Sequence, residues 1–402
     1  MPKVRHCVIR VDGQTSESLY DDLIALEVRE RVGEPATFAL QVAIFKRANG
    51  GWTRLDEQSF ADGGFCPWQR VTILVGYDAT PDVLVDGYVA GVAPRFEPVE
   101  ADSHVLVWGY DATYAMDITE QVKPWENKKY SDIALEVFQS YGLKASIPET
   151  ISDTQLIQDK DRELLIQRGT DWRFLKKLGQ RVGFDVFVRG GVGYFRPPEL
   201  TRTDQKDLAV HMGTRLTNVI RFEPRVVADK PESVAMQRPN ALTKRIEKVL
   251  VSASPQRSLG ARQSAALLQG RSMGQRPATL GRPVPCISEQ ALEAFATGLR
   301  REHDWNVTGE GELDGVLYGR ALRADGTVLI KGAGETFSGR YYVTDVTHRI
   351  TPEAYTQSFK VARNGLDVLG DEAFQSVNAD PTELAGNDER VAVSDQGLTV
   401  AP

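Results

Sequence analysis

A helix, a stop signal and a hairpin follow one another in the stretch Asp171-Trp-Arg-Phe-Leu-Lys-Lys-Leu-Gly-Gln-Arg-Val-Gly-Phe-Asp-Val-Phe-Val-Arg-Gly-Gly-Val-Gly-Tyr-Phe-Arg-Pro-Pro198. Asp171 is of a residue type that caps free N–H groups at the start of a helix. Apolar residues then recur at helical spacing, at Trp172, Leu175, Leu178 and Val182. Gly183 ends the helix, and a glycine pair between two apolar segments is typical of a hairpin turn. The stretch therefore predicts a packing unit of one helix and one hairpin.

Strand-like and helical patterns divide the chain into four parts. Residues 1–112 are rich in strands and predict an antiparallel β-barrel. Residues 113–212 mix strands with helices, one of them capped by Ser131 or Asp132. Residues 213–366 predict a second barrel, interrupted by a basic stretch at 226–288 and a helix from Glu289. Residues 367–402 predict an extended acidic arm. The expected fold class is α+β but mainly β, with two tube-like antiparallel barrels and an α+β middle domain.

A weak internal repeat links the two strand-rich parts. Val71-Thr-Ile-Leu-Val-Gly76 leads to Gly87-Tyr-Val-Ala-Gly-Val92, as Thr327-Val-Leu-Ile-Lys-Gly332 leads to Gly339-Arg-Tyr-Tyr-Val-Thr-Asp-Val346. Two copies of one barrel would explain the match. Independent convergence on a β pattern would explain it equally well from these residues alone.

Segments along most of the chain resemble, in the same order, the phage late control D family. Its members are baseplate hub proteins of contractile tails and share a core with the valine-glycine repeat spikes of type VI secretion. The similar segments are 85–98, 104–111, 129–143, 171–198, 339–350 and 355–363. The residues that carry the family's helix–hairpin motif are Asp171, Trp172, Phe174, Leu175, Leu178, Gly183, Phe184 and Tyr194.

The resemblance implies a ring-forming homotrimer that is not an enzyme. Hub proteins of this family carry two tube-like barrels, so that a trimer presents six of them to a hexameric tail tube. The expected partners are the tail tube or a tube-initiator protein, a trimeric spike and inner baseplate proteins. The expected location is the virion tail baseplate, assembled in the bacterial cytoplasm. Because neither an oligosaccharide-binding fold nor a repetitive β-helix follows the second barrel, we expect the spike to be a separate chain. The alternatives are the hub of an extracellular contractile injection system and a cell-wall-degrading or glycan-binding tail protein.

Charge is divided unevenly along the chain, whose net value is −7. Residues 367–402 hold eight acidic residues against Arg390 alone, whereas residues 226–288 are basic. The basic stretch contains no aromatic residues, which argues against stacking on single-stranded nucleic acid. Protein contacts are the expected role of both segments, and simple solvation is the alternative. Short apolar patches in the arm are expected to contact the spike or a neighbouring subunit, at Val368, Leu369, Phe374, Val391, Val393, Leu398 and Val400.

Motifs for catalysis or ligand binding are scarce. The sequence has no His-Glu-x-x-His zinc motif and no phosphate loop. Its five histidines and three cysteines are scattered without metal-type spacing. Its longest apolar runs have the length of strands, which predicts neither a membrane anchor nor a signal peptide. We expect no catalytic residue, no cofactor, no metal and no specific nucleic-acid binding.

Overall fold

A computed structural model of the chain describes residues 7–15, 17–56, 64–76, 81–126, 128–148, 150, 165–201, 204–213, 217–227, 231, 233–240, 243–263, 279–280, 289–370, 393–394 and 397–398. The helices are α1 (Glu17–Asp22), α2 (Thr113–Met116), α3 (Tyr130–Ser140), α4 (Asp171–Val182), α5 (Glu289–His303), α6 (Gly315–Tyr318) and α7 (Gly334–Phe337). The strands up to the middle of the chain are β1 (Cys7–Val11), β2 (Leu23–Arg31), β3 (Thr37–Ala43), β4 (Arg70–Val75), β5 (Asp82–Arg95), β6 (His104–Asp111), β7 (Glu120–Trp125), β8 (Lys144–Ser146), β9 (Leu165–Thr170), β10 (Asp185–Arg189) and β11 (Val192–Arg196). The later strands are β12 (Gln205–Ala209), β13 (Val219–Val226), β14 (Val234–Pro239), β15 (Ile246–Val251), β16 (Arg262–Gln263), β17 (Thr279–Leu280), β18 (Val307–Asp314), β19 (Gly326–Lys331), β20 (Gly339–Ile350), β21 (Tyr355–Arg363), β22 (Gly365–Leu366), β23 (Val393–Ser394) and β24 (Gly397–Leu398).

One curled 12-stranded sheet runs through both strand-rich parts of the chain. Its order is β1-β4-β5-β6-β3-β2-β20-β21-β18-β13, with β19 also on β20 and β12 on β19. β12 and β19 pair in parallel, and the other pairs of this sheet are antiparallel. Every second residue of β18 is buried, as expected of a strand with one face on a core. The mainly β character predicted from the sequence is confirmed.

The two halves of this sheet have the same strand order. The first half reads β1-β4-β5-β6-β3-β2 and the second β12-β19-β20-β21-β18-β13. Five strands of each half correspond in order and direction, whereas β12 runs parallel to β19 and its counterpart β1 runs antiparallel to β4. Two bulges also correspond. The pairing of β2 with β3 skips Ile24, and that of β13 with β18 skips Ile220. The pairing of β5 with β6 skips Ala90, and that of β20 with β21 skips Thr344. Because bulges are specific features of a backbone, their match makes the halves a structural duplication.

The register of this duplication differs from the sequence repeat. The sequence pattern matches Gly87 with Gly339, but the residue that corresponds to Gly339 is Val85. Val85 lies opposite Ile73 of β4, just as Gly339 lies opposite Ile330 of β19. The sequence pattern also matches Ile73 with Leu329, whereas the structural counterpart of Ile73 is Ile330. Simple alignment therefore finds the right strands but misplaces β4 by one residue and β5 by two. Separate barrels with boundaries at 112 and 213 remain a prediction, since one sheet joins both halves.

The middle region packs helices on a small sheet. β10, β11 and β8 form three strands of this sheet, and β7 pairs with β9. Its core includes Ile133 and Phe138 of α3, Leu175 and Leu178 of α4, and Phe195 of β11. α3 begins at Tyr130, earlier than the cap expected at Ser131 or Asp132, and Asp132 Oδ2 instead accepts a hydrogen bond from the Lys129 N–H at 3.2 Å.

The basic stretch at 226–288 is partly folded together with α5. β15, β14 and β17 form a three-stranded sheet. Val234 and Met236 of β14 are buried against Leu292 and Ala296 of α5. The whole segment lies between β13 and β18, where the first half has only the short connection from β2 to β3. It is therefore an insertion into one copy of the duplicated topology.

The acidic arm begins on the body of the protein. The Asp367 carboxylate binds Arg262 of the basic stretch, with Oδ2 3.0 Å from Nε. The backbone carbonyl of Asp367 accepts a hydrogen bond from the Arg363 side chain. Val368 and Leu369 are half-buried. The backbones of Val393 and Leu398 pair in a short hairpin of β23 and β24. The other expected contact residues lie outside the described residues, namely Phe374, Val391 and Val400.

Candidate functional site

The helix–hairpin motif forms the centre of the middle region, but Asp171 does not cap the helix. The cap is Thr170, whose Oγ1 accepts a hydrogen bond from the Arg173 N–H at 3.3 Å. The chain reaches α4 from the extended strand β9, so the residue before Asp171 holds the capping geometry. The prediction that Asp171 caps α4 is therefore wrong. Its carboxylate instead accepts hydrogen bonds from Gln121 Nε2 at 2.9 Å, Tyr141 Oη at 2.8 Å and Gln167 Nε2 at 2.6 Å.

The other motif residues lie around one core. The side chains of α4 that point into it are buried, namely Trp172, Phe174, Leu175 and Leu178. Gly183 ends the helix with a φ of 66°, in the left-handed region that favours glycine. Phe184 packs edge-on against Phe195, with ring centroids 5.5 Å apart. Tyr194 is half-buried and stacks on Phe187, with ring centroids 4.7 Å apart.

A buried ion pair fixes this middle region to the second half of the sheet. Arg196 at the end of β11 places Nη2 2.5 Å from Oδ2 of Asp325, and the Asp325 side chain is 1% exposed. Tyr342 donates a hydrogen bond from its hydroxyl to the other Asp325 oxygen, at 2.9 Å. Burial raises the pKa of Asp325, and the charge of Arg196 opposes that rise.

A second buried cluster joins all three parts. Glu30 of β2 has Oε1 2.6 Å from Arg323 Nη2 and Oε2 3.8 Å from Arg189 Nη2. Arg323 precedes β19 and Arg189 ends β10, so the first half, the second half and the middle region meet at one carboxylate. Burial lowers the pKa of Arg323, and the nearby charge of Glu30 opposes that effect. Such clusters fix the relative positions of the parts that they join.

A cleft of about 370 Å³ lies beside these clusters. Its lining includes Arg31, Asp185, Arg301, Tyr342 and Lys360. Burial raises the pKa of Asp185 to about 7, the charge of Asp325 adds to this rise and Arg301 opposes it. Among the described residues, Asp185 Oδ2 has no hydrogen-bond partner. The cleft holds charges of both signs, so it is a mixed polar junction between parts of the chain.

The two halves meet where β2 pairs with β20. Leu26 lies opposite Ile350 and Arg31 opposite Asp345 in an antiparallel ladder. Glu27 and Arg349 form a cross-strand pair of opposite charge. This pairing was not expected from the sequence. It joins strands far apart in the chain, and no local pattern specifies which strand edge β2 will meet.

Groups suited to chemistry are not gathered in the part of the chain that the structure describes. There, no three His, Cys, Asp or Glu side chains lie close enough to hold a metal ion. No helix in the described ranges has the length and apolar character needed to cross a membrane. A Gly-x-Ser-x-Gly sequence occurs at 270–274 and lies outside those ranges. The features that the geometry supports are a rigid frame and long strand edges, which suit assembly.

Comparison with known proteins gives the family and the fold. A family model for the Alg8 N-terminal domain matches residues 7–352. The chain belongs to this family. The match of the Alg8 N-terminal domain family spans the first half of the sheet, the middle region and the second half as far as β20, and it ends before β21. Among curated proteins, none matches the chain by sequence.

Three solved structures share the fold of this Alg8 N-terminal domain member. The 43 kDa tail protein of prophage MuSo2 from Shewanella oneidensis is 14% identical, with a TM-score of 0.60 over 90% of this chain and 99% of that chain. A tail protein from Neisseria meningitidis MC58 is 11% identical, with a TM-score of 0.61 over 90% and 97%. Prophage tail protein gp18 from Listeria monocytogenes EGD-e is 9% identical, with a TM-score of 0.51 over 95% and 98%. The expected likeness to phage tail proteins is thus confirmed at the level of the fold.

Proposed function

We propose that the protein is the structural hub of a contractile tail or tail-like particle, located at the baseplate. In this role it is a ring-shaped homotrimer that joins a hexameric tail tube to a trimeric spike. It acts by adapting one symmetry to the other and performs no catalysis.

The observation that carries this proposal is the duplicated strand order within one chain. A chain with two equivalent halves offers two equivalent surfaces, so three chains offer six. A threefold assembly of such chains can therefore meet a sixfold tube on one side and a threefold spike on the other. The fold shared with prophage tail proteins supports the same role.

The buried clusters supply the rigidity that this role requires. Glu30 and Asp325 tie the two halves to the middle region through Arg323, Arg189 and Arg196. An adaptor that transmits load between a tube and a spike must keep its halves in a fixed relation. The acidic arm, including Val368 and Leu369 at its start, is assigned to contacts with the spike or a neighbouring subunit.

Electron microscopy of the purified protein, alone and mixed with the tail-tube protein of the same particle, tests the proposal. The expected images are rings of three chains with six similar lobes, capping the ends of tube segments. A protein that stays monomeric under both conditions and never caps a tube would contradict the hub role. Clearing of purified peptidoglycan would favour the cell-wall-degrading alternative instead.

A further inference from the structure

Four strand edges of the sheet have no partner strand in the described part of the chain: the outer edges of β1, β12 and β13, and the far end of β5. The edges of β13 and β5 are the two considered below. β13 pairs with β18 on one side, and no described strand lies on its other side. β5 pairs with β4 only up to Tyr88, and its far end is exposed at Ala93, Pro94 and Arg95. In the duplication, β13 corresponds to β2 and β5 corresponds to β20. β2 and β20 are the two strands that pair where the halves meet.

The junction inside the chain therefore predicts how the open edges fit each other. Counted from the matched bulges, Glu223 stands in β13 where Glu27 stands in β2, each the third residue after the skipped isoleucine. Arg95 stands in β5 where Arg349 stands in β20, each the fifth residue after the skipped one. Because Glu27 lies opposite Arg349, the same register places Glu223 opposite Arg95. Both pairs combine a glutamate with an arginine.

The buried faces of the two strands agree with this register. Leu26 of β2 is 0% and Ile350 of β20 is 1% exposed, and they lie opposite each other. Their counterparts are Phe222 and Phe96, both apolar, and Phe96 is 55% exposed. Pairing of the open edges would cover the Phe96 ring, as pairing at the junction covers Ile350.

Proline occurs once on each open edge, at positions that the register places opposite each other. Pro224 corresponds to Val28 and Pro94 to His348, which are partners at the junction. The Val32 N–H donates to the Thr344 carbonyl at 3.0 Å, so even-numbered residues of β2 direct their backbone groups to β20. The absent N–H of each proline therefore faces outward, where an edge strand tolerates it. Proline also hinders pairing with unrelated strands. Because the two prolines lie opposite each other, backbone hydrogen bonds are lost at that one residue pair only.

We infer that the partner of the β5 edge is β13 of a second copy of this chain, paired antiparallel with Glu223 opposite Arg95. This inference rests on the proposed ring and names the contact that closes it. The pairing of β13 with β5 between chains then repeats the pairing of β2 with β20 within each chain. The first and second halves of the sheet therefore alternate around the ring. Strand addition of this kind is an established mode of protein association.

Disulfide trapping tests the register. Glu223 and Arg95 fall on a rung without backbone hydrogen bonds, where opposing Cα atoms lie about 4.5 Å apart, within reach of a disulfide. The R95C/E223C variant should form, under mild oxidation, covalent species that end at three chains on a non-reducing gel. The matched control R95C/R225C moves one cysteine to the diagonal position, about 7–8 Å away, and should link far less. R95C and E223C alone show the background from the native cysteines.

Charge reversal gives a test that needs no oxidation. E223R or R95E alone should raise the protein concentration required for assembly about tenfold, and E223R/R95E together should restore it. E120R is the control. Glu120 lies near Arg173, with Oε1 3.9 Å from Nη1, and belongs to β7 of the middle region, so assembly should be unchanged.

The outcomes separate this contact from the hub role. Three-chain rings in the microscope without R95C/E223C linkage, or linkage equal to that of R95C/R225C, would overturn the contact and leave the hub proposal standing. Efficient linkage that continues beyond three chains would support the contact and overturn the closed trimer. Failure of the double charge reversal to restore assembly would also count against the contact.

Discussion

Trp68 and Asp325 occupy the same position in the two halves of the sheet, and both have a positive φ, of 72° and 57°. The Trp68 N–H donates to the Val89 carbonyl at 2.8 Å, and the Asp325 N–H donates to the Val343 carbonyl at 2.9 Å. Positive φ is uncommon in residues other than glycine, above all in bulky ones. The side chains have diverged, since Trp68 is 51% exposed while Asp325 is buried against Arg196. The duplicated backbone therefore persists where the chemistry has changed.

Removal of the Asp325 carboxylate should strongly destabilise the protein. Asp325→Ala leaves the buried Arg196 guanidinium without its main partner, and breaking a buried pair in this way costs about 3–5 kcal/mol. Chemical denaturation followed by tryptophan fluorescence measures the change. Glu310→Ala, which removes an exposed partner of Arg225, should change the free energy of unfolding by about 1 kcal/mol or less. Equal effects of the two variants would refute the structural role of Asp325.

The Trp172 side chain anchors α4 in the core of the middle region. It is 4% exposed, so Trp172→Ala should lower the free energy of unfolding by about 3–5 kcal/mol. Lys177→Ala on the exposed face of the same helix should stay within about 0.5 kcal/mol of the parent. An unchanged denaturation midpoint for Trp172→Ala would show that the helix does not pack as described.

Asp185 should make stability depend on pH. Because its folded-state pKa is raised from 3.8 to about 7 by burial, the neutral carboxyl is favoured in the folded protein. The stabilising contribution of Asp185 to the free energy of unfolding is complete below about pH 4 and is lost as the pH rises through about 7. Asp185→Asn keeps a neutral group at every pH. The difference in free energy of unfolding between the variant and the parent should grow between these limits, and a constant difference would exclude Asp185 as the source.

The start of the acidic arm and its remainder should behave differently on truncation. Removal of residues 371–402 leaves the Asp367 contacts with Arg262 and Arg363 in place, so the body should unfold at the parent's midpoint. Removal from Asp367 onward loses those contacts and should lower the midpoint. If the arm binds the spike, both truncations weaken spike co-purification, more at low salt than at high salt. Equal capture by the full and shortened chains would refute the assigned role.

Local features of the fold could be predicted from the sequence, and long-range pairings could not. The segments 339–350 and 355–363, which carry part of the family resemblance, form β20 and β21 with those same bounds, and Gly183 ends α4 as its residue type indicates. The helix predicted from Glu289 begins at that residue. The pairing of β2 with β20 depends on which open edges meet in the folded chain, which no short window contains. The expected cap at Asp171 was wrong because Ser, Thr and Asp can all cap a helix and neighbouring candidates differ only in geometry.

The insertion between β13 and β18 has no counterpart in the first half. It therefore occurs once for every two copies of the duplicated strands. A partner that binds the duplicated strands finds two equivalent surfaces on each chain. A partner that binds the insertion finds one. Because the strands are duplicated and only one copy carries the insertion, a single polypeptide offers one kind of surface twice and another kind once. Identical subunits without an internal duplication would offer every surface the same number of times.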